Sequence, residues 1–563
     1  MALTAQFPGW CFTCKGKIAV GESFNWGKER GQRVHAHCPT NGAIVASTLP
    51  VANGLVNAKI FTWSPLQEQV FVAVVERSGN YIVVAVAGSG KSTTIIEAAK
   101  RYAKAYPDRS IAMVAFGSKN GKELEEKTSD TPQIDAGTSH HFWKRVVEEY
   151  VGHRYTGDAQ INRFKVDQIG RDMVRDGVID RETARVYLKG AVKLCKQAKG
   201  AGVGVPGIIA DTQAVWHWLL QRFEIEFDAD DPHPGIKIAR ELLRRSNEEL
   251  NVIDFDDMLY WPALWGLNGP TYDIVFIDEA QDYNAIQRFL THRMIGTNGR
   301  LIAVGDPYQA IFGFRGADFD SLDRIKAEFD CATLELTFSY RCPQAIVRWA
   351  QEVVPHIQAN PEAKEGSVID LDSWRIKDFR GGDYVICRLN APLIKLAYKM
   401  IIARQPCIVL GSEIGEGLVS LIERQKAVDL LDLQERLDAY RREEIKKLER
   451  KGDEAAIERL LDKLECIDLI ISGLSAADRT IEALTSEIRA LFDDRVRSSQ
   501  TTLMTAHKAK GLESERIFIL DPGLMPSPRA KTDEQMQQER NLLYVARTRS
   551  KDAAYTIHSA DIR

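Results

Sequence analysis

Cysteine is scarce: the chain has nine in 563 residues, with Cys11, Cys14 and Cys38 close together near the N-terminus and the others scattered. A disulfide-stapled scaffold is thereby excluded, and the clustering points to metal rather than to disulfides. Long apolar runs are also missing, none approaching the ~18 residues that a membrane span needs. The opening Met1-Ala-Leu-Thr-Ala-Gln-Phe-Pro-Gly-Trp lacks both a basic n-region and an apolar h-region. The expectation is a soluble, cytoplasmic chain without membrane contact. Proline (20) and glycine (40) stay at ordinary levels, which excludes collagen-like and low-complexity structure. Neither sign of charge dominates, with 74 Lys and Arg against 78 Asp and Glu for a net charge of −4. Any nucleic-acid contact must therefore come from a local groove rather than a polycationic surface.

What is present is an ordinary globular composition, 44% hydrophobic and 27% charged, long enough for about three to five domains. Apolar strand-like runs, each followed by a turn and a helical pattern, occur at Tyr81 to Ala87, Ser110 to Phe116, Tyr272 to Ile277 and Arg300 to Val304. A second set follows at Asp383 to Cys387, Cys407 to Leu410, Thr501 to Met504 and Arg516 to Leu520. Such alternation predicts two α/β units with parallel sheets. The first is expected over 59–141 and 251–330, interrupted by a helical insert over 142–250. The second is expected over 331–417 and 498–563, interrupted at 418–497. Within this second insert, apolar residues three and four apart flank Lys451-Gly-Asp, which predicts an antiparallel helical hairpin.

Two segments carry phosphate chemistry. Tyr81-Ile-Val-Val-Ala-Val-Ala-Gly-Ser-Gly-Lys-Ser-Thr is a strand, a glycine-rich turn and a helix start. From Ala87 through Gly88, Ser89 and Gly90 to Thr93, its backbone can cradle phosphate oxygens, with Lys91 reaching the β and γ phosphates and Ser92 placed to ligate Mg²⁺. Ala85 occupies the slot of the pattern's first glycine. Tyr272-Asp-Ile-Val-Phe-Ile-Asp-Glu-Ala-Gln-Asp delivers Asp278 and Glu279 at the C-terminal end of a buried strand, where open α/β sheets bind ligands. One carboxylate, Asp278, can join the Mg²⁺ sphere while Glu279 orients water, the division of labour that γ-phosphate hydrolysis requires.

In their order these segments resemble a superfamily 1 helicase of the UvrD/PcrA/Rep type, over about Phe61 to Lys551. Ser64-Pro-Leu-Gln-Glu-Gln is similar to the adenine-reading segment, which makes Gln67 the base contact. Ala115-Phe-Gly-Ser-Lys-Asn-Gly and Thr138-Ser-His-His-Phe resemble DNA-contacting segments, and Ile253-Asp-Phe-Asp-Asp-Met-Leu matches the pattern ahead of the acidic motif. Val304-Gly-Asp-Pro-Tyr-Gln-Ala-Ile-Phe-Gly-Phe-Arg-Gly-Ala is a long match, in which Gln309 senses the γ-phosphate. Later, Thr-Phe-Ser-Tyr340-Arg341 places Tyr340 on adenine and Arg341 on phosphate. Thr505-Ala-His-Lys-Ala-Lys-Gly-Leu-Glu contributes His507, Gly511 and the ribose ligand Glu513. Glu539-Arg-Asn-Leu-Leu-Tyr-Val-Ala-Arg-Thr-Arg makes Arg549, rather than Arg547, the second arginine finger. Two departures stand out: Ser92 and Thr93 replace a Thr-Arg pair, and the second insert is short.

The resemblance implies two RecA-like P-loop domains, ATP and Mg²⁺ as cofactors, and a monomer that moves on single-stranded DNA, 3′ to 5′, and unwinds duplex at single-strand/duplex junctions. Phe116, Phe312 and Phe314 are the expected base-stacking residues, joined on the DNA by Thr138, His140 and His507. A translocase that strips proteins from DNA without unwinding is the alternative motor, and a nucleotide-gated DNA-binding scaffold the alternative of another class. Separately, Cys11, Cys14, His35 and Cys38 have the spacing of a closed Cys₃His structural Zn²⁺ site, His37 being the alternative to His35. A small zinc-binding module over 1–50 is therefore expected, and it and the helical insert are the expected surfaces for a protein partner.

Overall fold

The computed structural model describes residues 63–223, 225–311, 320–451, 454–474, 479–495 and 497–561, and before them five short strands within 1–62. Residues 1–62 and 63–563 form separate units. In the first, Ser23–Trp26 pairs antiparallel with Leu3–Thr4 and with Arg33–His35. Cys11, Cys14 and Cys38 lie outside the described residues, and His35 is described by its backbone alone. Elsewhere, among the described residues, no group of three or more His, Cys, Asp or Glu side chains could hold a metal ion.

The larger unit is α/β, built on two all-parallel sheets. The first contains β1 (Asn80–Ala85), β2 (Ile111–Ala115), β3 (Ile134–Thr138), β4 (Tyr272–Ile277), β5 (Ile295–Gly305) and β6 (Cys331–Leu336), in the order β6-β1-β5-β4-β2-β3. Its central strands are apolar along their length because both faces are covered: all five residues of β2 are buried. On one face Val70, Phe71 and Val74 of the helix Pro65–Glu76 pack with Ile95, Ala99 and Tyr102 of the helix Lys91–Ala105. The other face shares one continuous core with the first insert, in which Leu194, Trp216 and Leu242 join Val275 and Leu301.

Charge also ties this insert to its lobe. Lys199, fully buried, donates to Asp254 at 2.8 Å and Asp257 at 2.6 Å, while Lys165 reaches the other oxygen of Asp257 at 2.8 Å. Burial opposes the charge on Lys199, but Asp254 and Asp257 outweigh it and hold the ammonium well above the ordinary lysine range. A buried cluster of two lysines and two aspartates, hydrogen-bonded to one another, fixes relative position more than it adds stability.

The second sheet contains β7 (Ser367–Leu371), β8 (Tyr384–Cys387), β9 (Cys407–Leu410), β10 (Phe492–Asp493), β11 (Thr501–Thr505), β12 (Ser514–Leu520) and β13 (Ser550–Ile557), in the order β7-β13-β12-β8-β11-β9-β10. Two expectations need correction. The boundary at 330/331 falls ahead of β6, which pairs with β1 from Cys331↔Asn80 to Leu336↔Ala85 and so completes the first sheet. The second insert holds four helices, Ser412–Gln425, Leu430–Lys451, Glu454–Gly473 and Ile481–Leu491, rather than a lone hairpin. The central pair does flank residues 452 and 453. Leu433, Leu464, Ile467 and Leu484 join Val385 and Leu503 of the sheet in one core, which is why the hairpin cannot stand alone. No described helix is long and apolar enough to cross a membrane.

Candidate functional site

The loop after β1 turns on Gly88 (φ +73°) and Gly90 (φ +77°), left-handed positions at which a side chain would be strained. At Gly88 space matters as well, since a Cβ would lie 2.6 Å from the Arg341 Cβ. Gly90 then starts the helix Lys91–Ala105. Directly behind, β4 ends at Ile277 and presents Asp278 and Glu279. Glu279 adopts φ +55°, a left-handed conformation unusual for a non-glycine residue and of the kind that collects at functional sites.

The side chains of these two segments meet. Ser92 Oγ donates to Asp278 Oδ2 at 2.5 Å, and Lys91 Nζ lies 3.5 Å from Glu279 Oε1. Burial and the neighbouring Glu279 push Asp278 up to about 6. Glu279 goes the other way: burial opposes its charge, but Lys91 and Lys510 hold it at about 2. Burial likewise opposes the charge on Lys91, but Glu279, Asp306 and Asp278 raise it above its ordinary value. One carboxylate is thus fixed as an anion beside a cation, and its neighbour is an easily protonated hard-oxygen donor.

The second lobe closes the site. A cleft of about 530 Å³ is lined by Gly88 and Gly90 from the first lobe and by Tyr340, Arg341, Glu513 and Lys551 from the second. Arg341 Nε donates to Glu513 Oε2 at 2.6 Å, and Lys551 approaches Glu513 Oε1 at 2.6 Å. Burial would raise Glu513, but Lys551 and Arg341 keep it below the ordinary carboxylate range. Tyr340 stands 43% exposed in the cleft, an aromatic face open to a partner.

Other predicted residues lie elsewhere. Gln67 is buried with both ends of its amide engaged: its Oε1 accepts from Ser64 N–H at 3.0 Å in a capping box, and its Nε2 donates to Thr94 at 3.0 Å. Thr93 is exposed on the first helical turn, and the buried Ser89 hydroxyl has no hydrogen-bond partner. Gln309 Nε2 donates to Asp306 at 2.6 Å. Arg549 is not among the residues lining the cleft: it is 1% exposed and donates to the Val545 and Leu512 carbonyls of its own lobe. Gly511 is exposed at φ +79° in the turn ahead of β12.

Of the expected DNA contacts, Phe116 is half-buried against the first core. Thr138 caps the helix Ser139–Val151 by accepting from His141 N–H at 3.1 Å. His140 is pushed down to about 4 by burial and is therefore neutral. His507 is half-buried in the turn after β11. Phe312 and Phe314 lie outside the described residues. Three residues without a sequence-assigned role enter the picture. Phe255, 52% exposed, sets its ring edge-on to His140 at 6.1 Å; its signal was an aromatic between aspartates. Lys510 stands inside the Thr505 to Glu513 segment and Lys551 just past the last motif, and neither has a role there that its own segment reveals, because their partners Asp282 and Glu513 lie in other segments.

Comparison with known proteins gives two family matches and several relatives. Residues 66–330 match the family model described as the UvrD/REP helicase N-terminal domain, and residues 423–560 match the UvrD-like helicase C-terminal domain. A "Probable DNA helicase II homolog" of Rickettsia felis is 24% identical over 315 residues, 52% of this chain and 45% of the relative. The "ATP-dependent DNA helicase UvrD1" of Mycobacterium leprae is 24% identical over 328 residues, 52% of this chain and 39% of the relative. The chain thus spans under half the length of these two. A "Probable DNA helicase II homolog" of Mycoplasma capricolum subsp. capricolum is 24% identical over 631 residues, covering 87% of this chain and 84% of the relative. Residues 66–330 and 423–560 together make up most of the chain and match, in order, the N-terminal and C-terminal domains of one helicase family, so the chain is of the UvrD/REP type.

Proposed function

We propose that the chain is an ATP-dependent DNA helicase that moves on single-stranded DNA, 3′ to 5′, and separates duplex at a junction. The observation that carries this reading is the split cleft: the phosphate loop and acidic pair belong to one lobe, Tyr340, Arg341 and Glu513 to the other. A nucleoside triphosphate held between them favours approach of the lobes, and its hydrolysis releases them, which is the elementary step of a motor.

In this reading Tyr340 stacks on the base, Glu513 accepts from the ribose hydroxyls, and the loop amides with Lys91 hold the phosphates. Ser92 and Asp278 supply adjacent hard oxygens and fit Mg²⁺ as its ligands, and the bound cation would offset charge on the phosphate oxygens. Lys91 rests against Glu279, so phosphates that draw the ammonium away free Glu279 to orient water and take its proton. Arg341 approaches from the second lobe to meet charge developing on the γ-phosphate, and Arg549 joins it once drawn out of its own lobe. Phe116 and Phe255 are assigned to the DNA track as stacking faces, with Thr138, His140 and His507 beside them.

The finer assignments are of the same standing. Cys11, Cys14, His35 and Cys38 are proposed as a structural Zn²⁺ site on their spacing, and a purified chain without zinc on elemental analysis overturns it. The chain is taken to act as a monomer, with its N-terminal segment and four-helix insert open to a protein partner. Steady-state ATP hydrolysis with and without single-stranded DNA, in the wild type and Lys91→Ala, tests the motor. Strong stimulation that the variant loses supports it, and hydrolysis indifferent to DNA refutes it. Strand displacement on substrates with 3′ or 5′ tails tests direction; stimulated hydrolysis without displacement selects the protein-stripping translocase instead.

A further inference from the structure

The helix Asp533–Arg547 of the second lobe grips two loops of the first. Ala87 N–H donates to Tyr544 Oη at 2.9 Å, and the tyrosine ring is fully buried, edge-on to Tyr308 at 6.2 Å. One turn earlier, Asn541 Nδ2 donates to the carbonyls of Pro307 at 3.2 Å and Ala310 at 3.0 Å. The same helix thus holds the phosphate loop through one side chain and the Asp306–Ala310 turn through another.

At its C-terminal end the contact continues. Thr548 Oγ1 donates to the Tyr544 carbonyl at 2.9 Å, and Arg549 Nη2 donates to Thr548 Oγ1 at 3.0 Å. Arg341 Nη1 reaches the Thr548 carbonyl at 3.5 Å. A path of hydrogen bonds joined through the covalent frames of Tyr544 and Thr548 therefore runs from a phosphate-loop amide to both arginines. Next to Ala87, the Gly88 carbonyl accepts from Tyr340 N–H at 2.8 Å, so the second lobe holds the loop at consecutive residues.

We propose that Tyr544 is a positioning residue through which the second lobe senses whether the phosphate loop is filled. Phosphates that reorganise the loop shift the Ala87 amide, and the phenol, which has no slack in its buried setting, passes that shift to the segment carrying Arg549. Without the hydroxyl the loop still binds nucleotide, but the arginines are no longer brought up in step with it. This inference rests on the reading of the cleft as a nucleoside triphosphate site.

The test compares the wild-type full chain with Tyr544→Phe. It reads kcat and KM for ATP with saturating single-stranded DNA, and ATP consumed per base pair displaced. Loss of one buried hydrogen bond should lower kcat about tenfold and leave KM within about twofold, and ATP consumed per displaced pair should rise. A wild type without DNA-stimulated hydrolysis overturns the nucleotide reading itself. A stimulated wild type matched by Tyr544→Phe in all three quantities overturns this inference alone, as does a rise in KM without a fall in kcat. If thermal melting shows that the Phe chain does not fold, 3-fluorotyrosine at position 544 replaces it, keeping the hydroxyl but weakening it as an acceptor. A kcat between those of wild type and background is then expected, and a wild-type value overturns the proposal.

Discussion

Lys510 of the second lobe places its ammonium 2.6 Å from the Asp282 carboxylate of the first and 2.8 Å from the Gln309 carbonyl. Asp282 is buried and Lys510 nearly so, and the second oxygen of Asp282 has no hydrogen-bond partner. The pair bridges the segment after the acidic motif, the Asp306–Ala310 turn and the loop ahead of β12. Removing one member of a buried pair costs about 3–5 kcal/mol when the survivor stays charged. Lys510→Met should therefore lower the melting temperature by several degrees, and Lys510→Met with Asp282→Asn should recover part of the loss. Thermal scans of the single and double variants check this; equal losses in both would mean that the pair is not coupled.

The same pair carries a pH signature. Burial pushes Asp282 up to about 6, with Lys510 opposing, whereas an unfolded Asp titrates near about 4. Between these values the folded chain holds the extra proton, so this group's contribution to stability falls as pH rises through the window. Without Lys510 the folded value climbs further and the loss extends to higher pH. The difference in melting temperature between wild type and Lys510→Met should be small near about pH 5 and grow toward about pH 8. A constant difference across that range would assign the effect to packing rather than charge.

Glu279→Gln removes the anion held beside Lys91. Hydrolysis should fall at least about 100-fold, the usual scale for loss of a general base. Nucleotide affinity should hold or tighten, because Lys91 is no longer drawn toward a carboxylate. Single-turnover hydrolysis and a fluorescent nucleotide titration on the same preparation separate the two effects.

Phe255→Ala should weaken single-stranded DNA binding about fivefold to tenfold, the scale of one stacked base. The dependence of affinity on salt should not change, because a stacking face releases no counterions. Titrations of a labelled oligonucleotide at several salt concentrations give both quantities, and an altered salt slope would mean that the substitution disturbs phosphate contacts instead.

The expected strand runs that the structure contains are mostly central ones, where burial on both faces writes a continuous apolar stretch, as in Ile-Ala-Met-Val-Ala of β2. The strands that no apolar run marks are mostly edges. Strand β6, Cys-Ala-Thr-Leu-Glu-Leu, has exposed residues at its second, third and fifth positions, and β3 and β7 also border their sheets. Strand β13 is an inner strand with half-buried charged residues near its start, so its apolar pattern is broken there. Within the cleft, Gly88, Gly90, Tyr340, Arg341 and Glu513 were legible because each sits in a contiguous motif. Lys510 and Tyr544 also stand in such motifs, but their roles depend on Asp282 and Ala87, hundreds of residues away, and Lys551 lies just past the last motif and meets Glu513 only once β12 and β13 pair.

The place of β6 beside β1 has a consequence for synthesis. Strand β1, which leads into the phosphate loop, is flanked by β5 and β6, and both are translated more than two hundred residues after it. Domains tend to fold as units while the chain is still emerging from the ribosome. Here the earliest strand of the first lobe must wait with both edges unpaired until its two neighbours have been made. An unpaired apolar strand is a template for association with other chains. A product ending before residue 331 would therefore leave one side of β1 permanently open, and should aggregate rather than persist as a half-size nucleotide-binding domain.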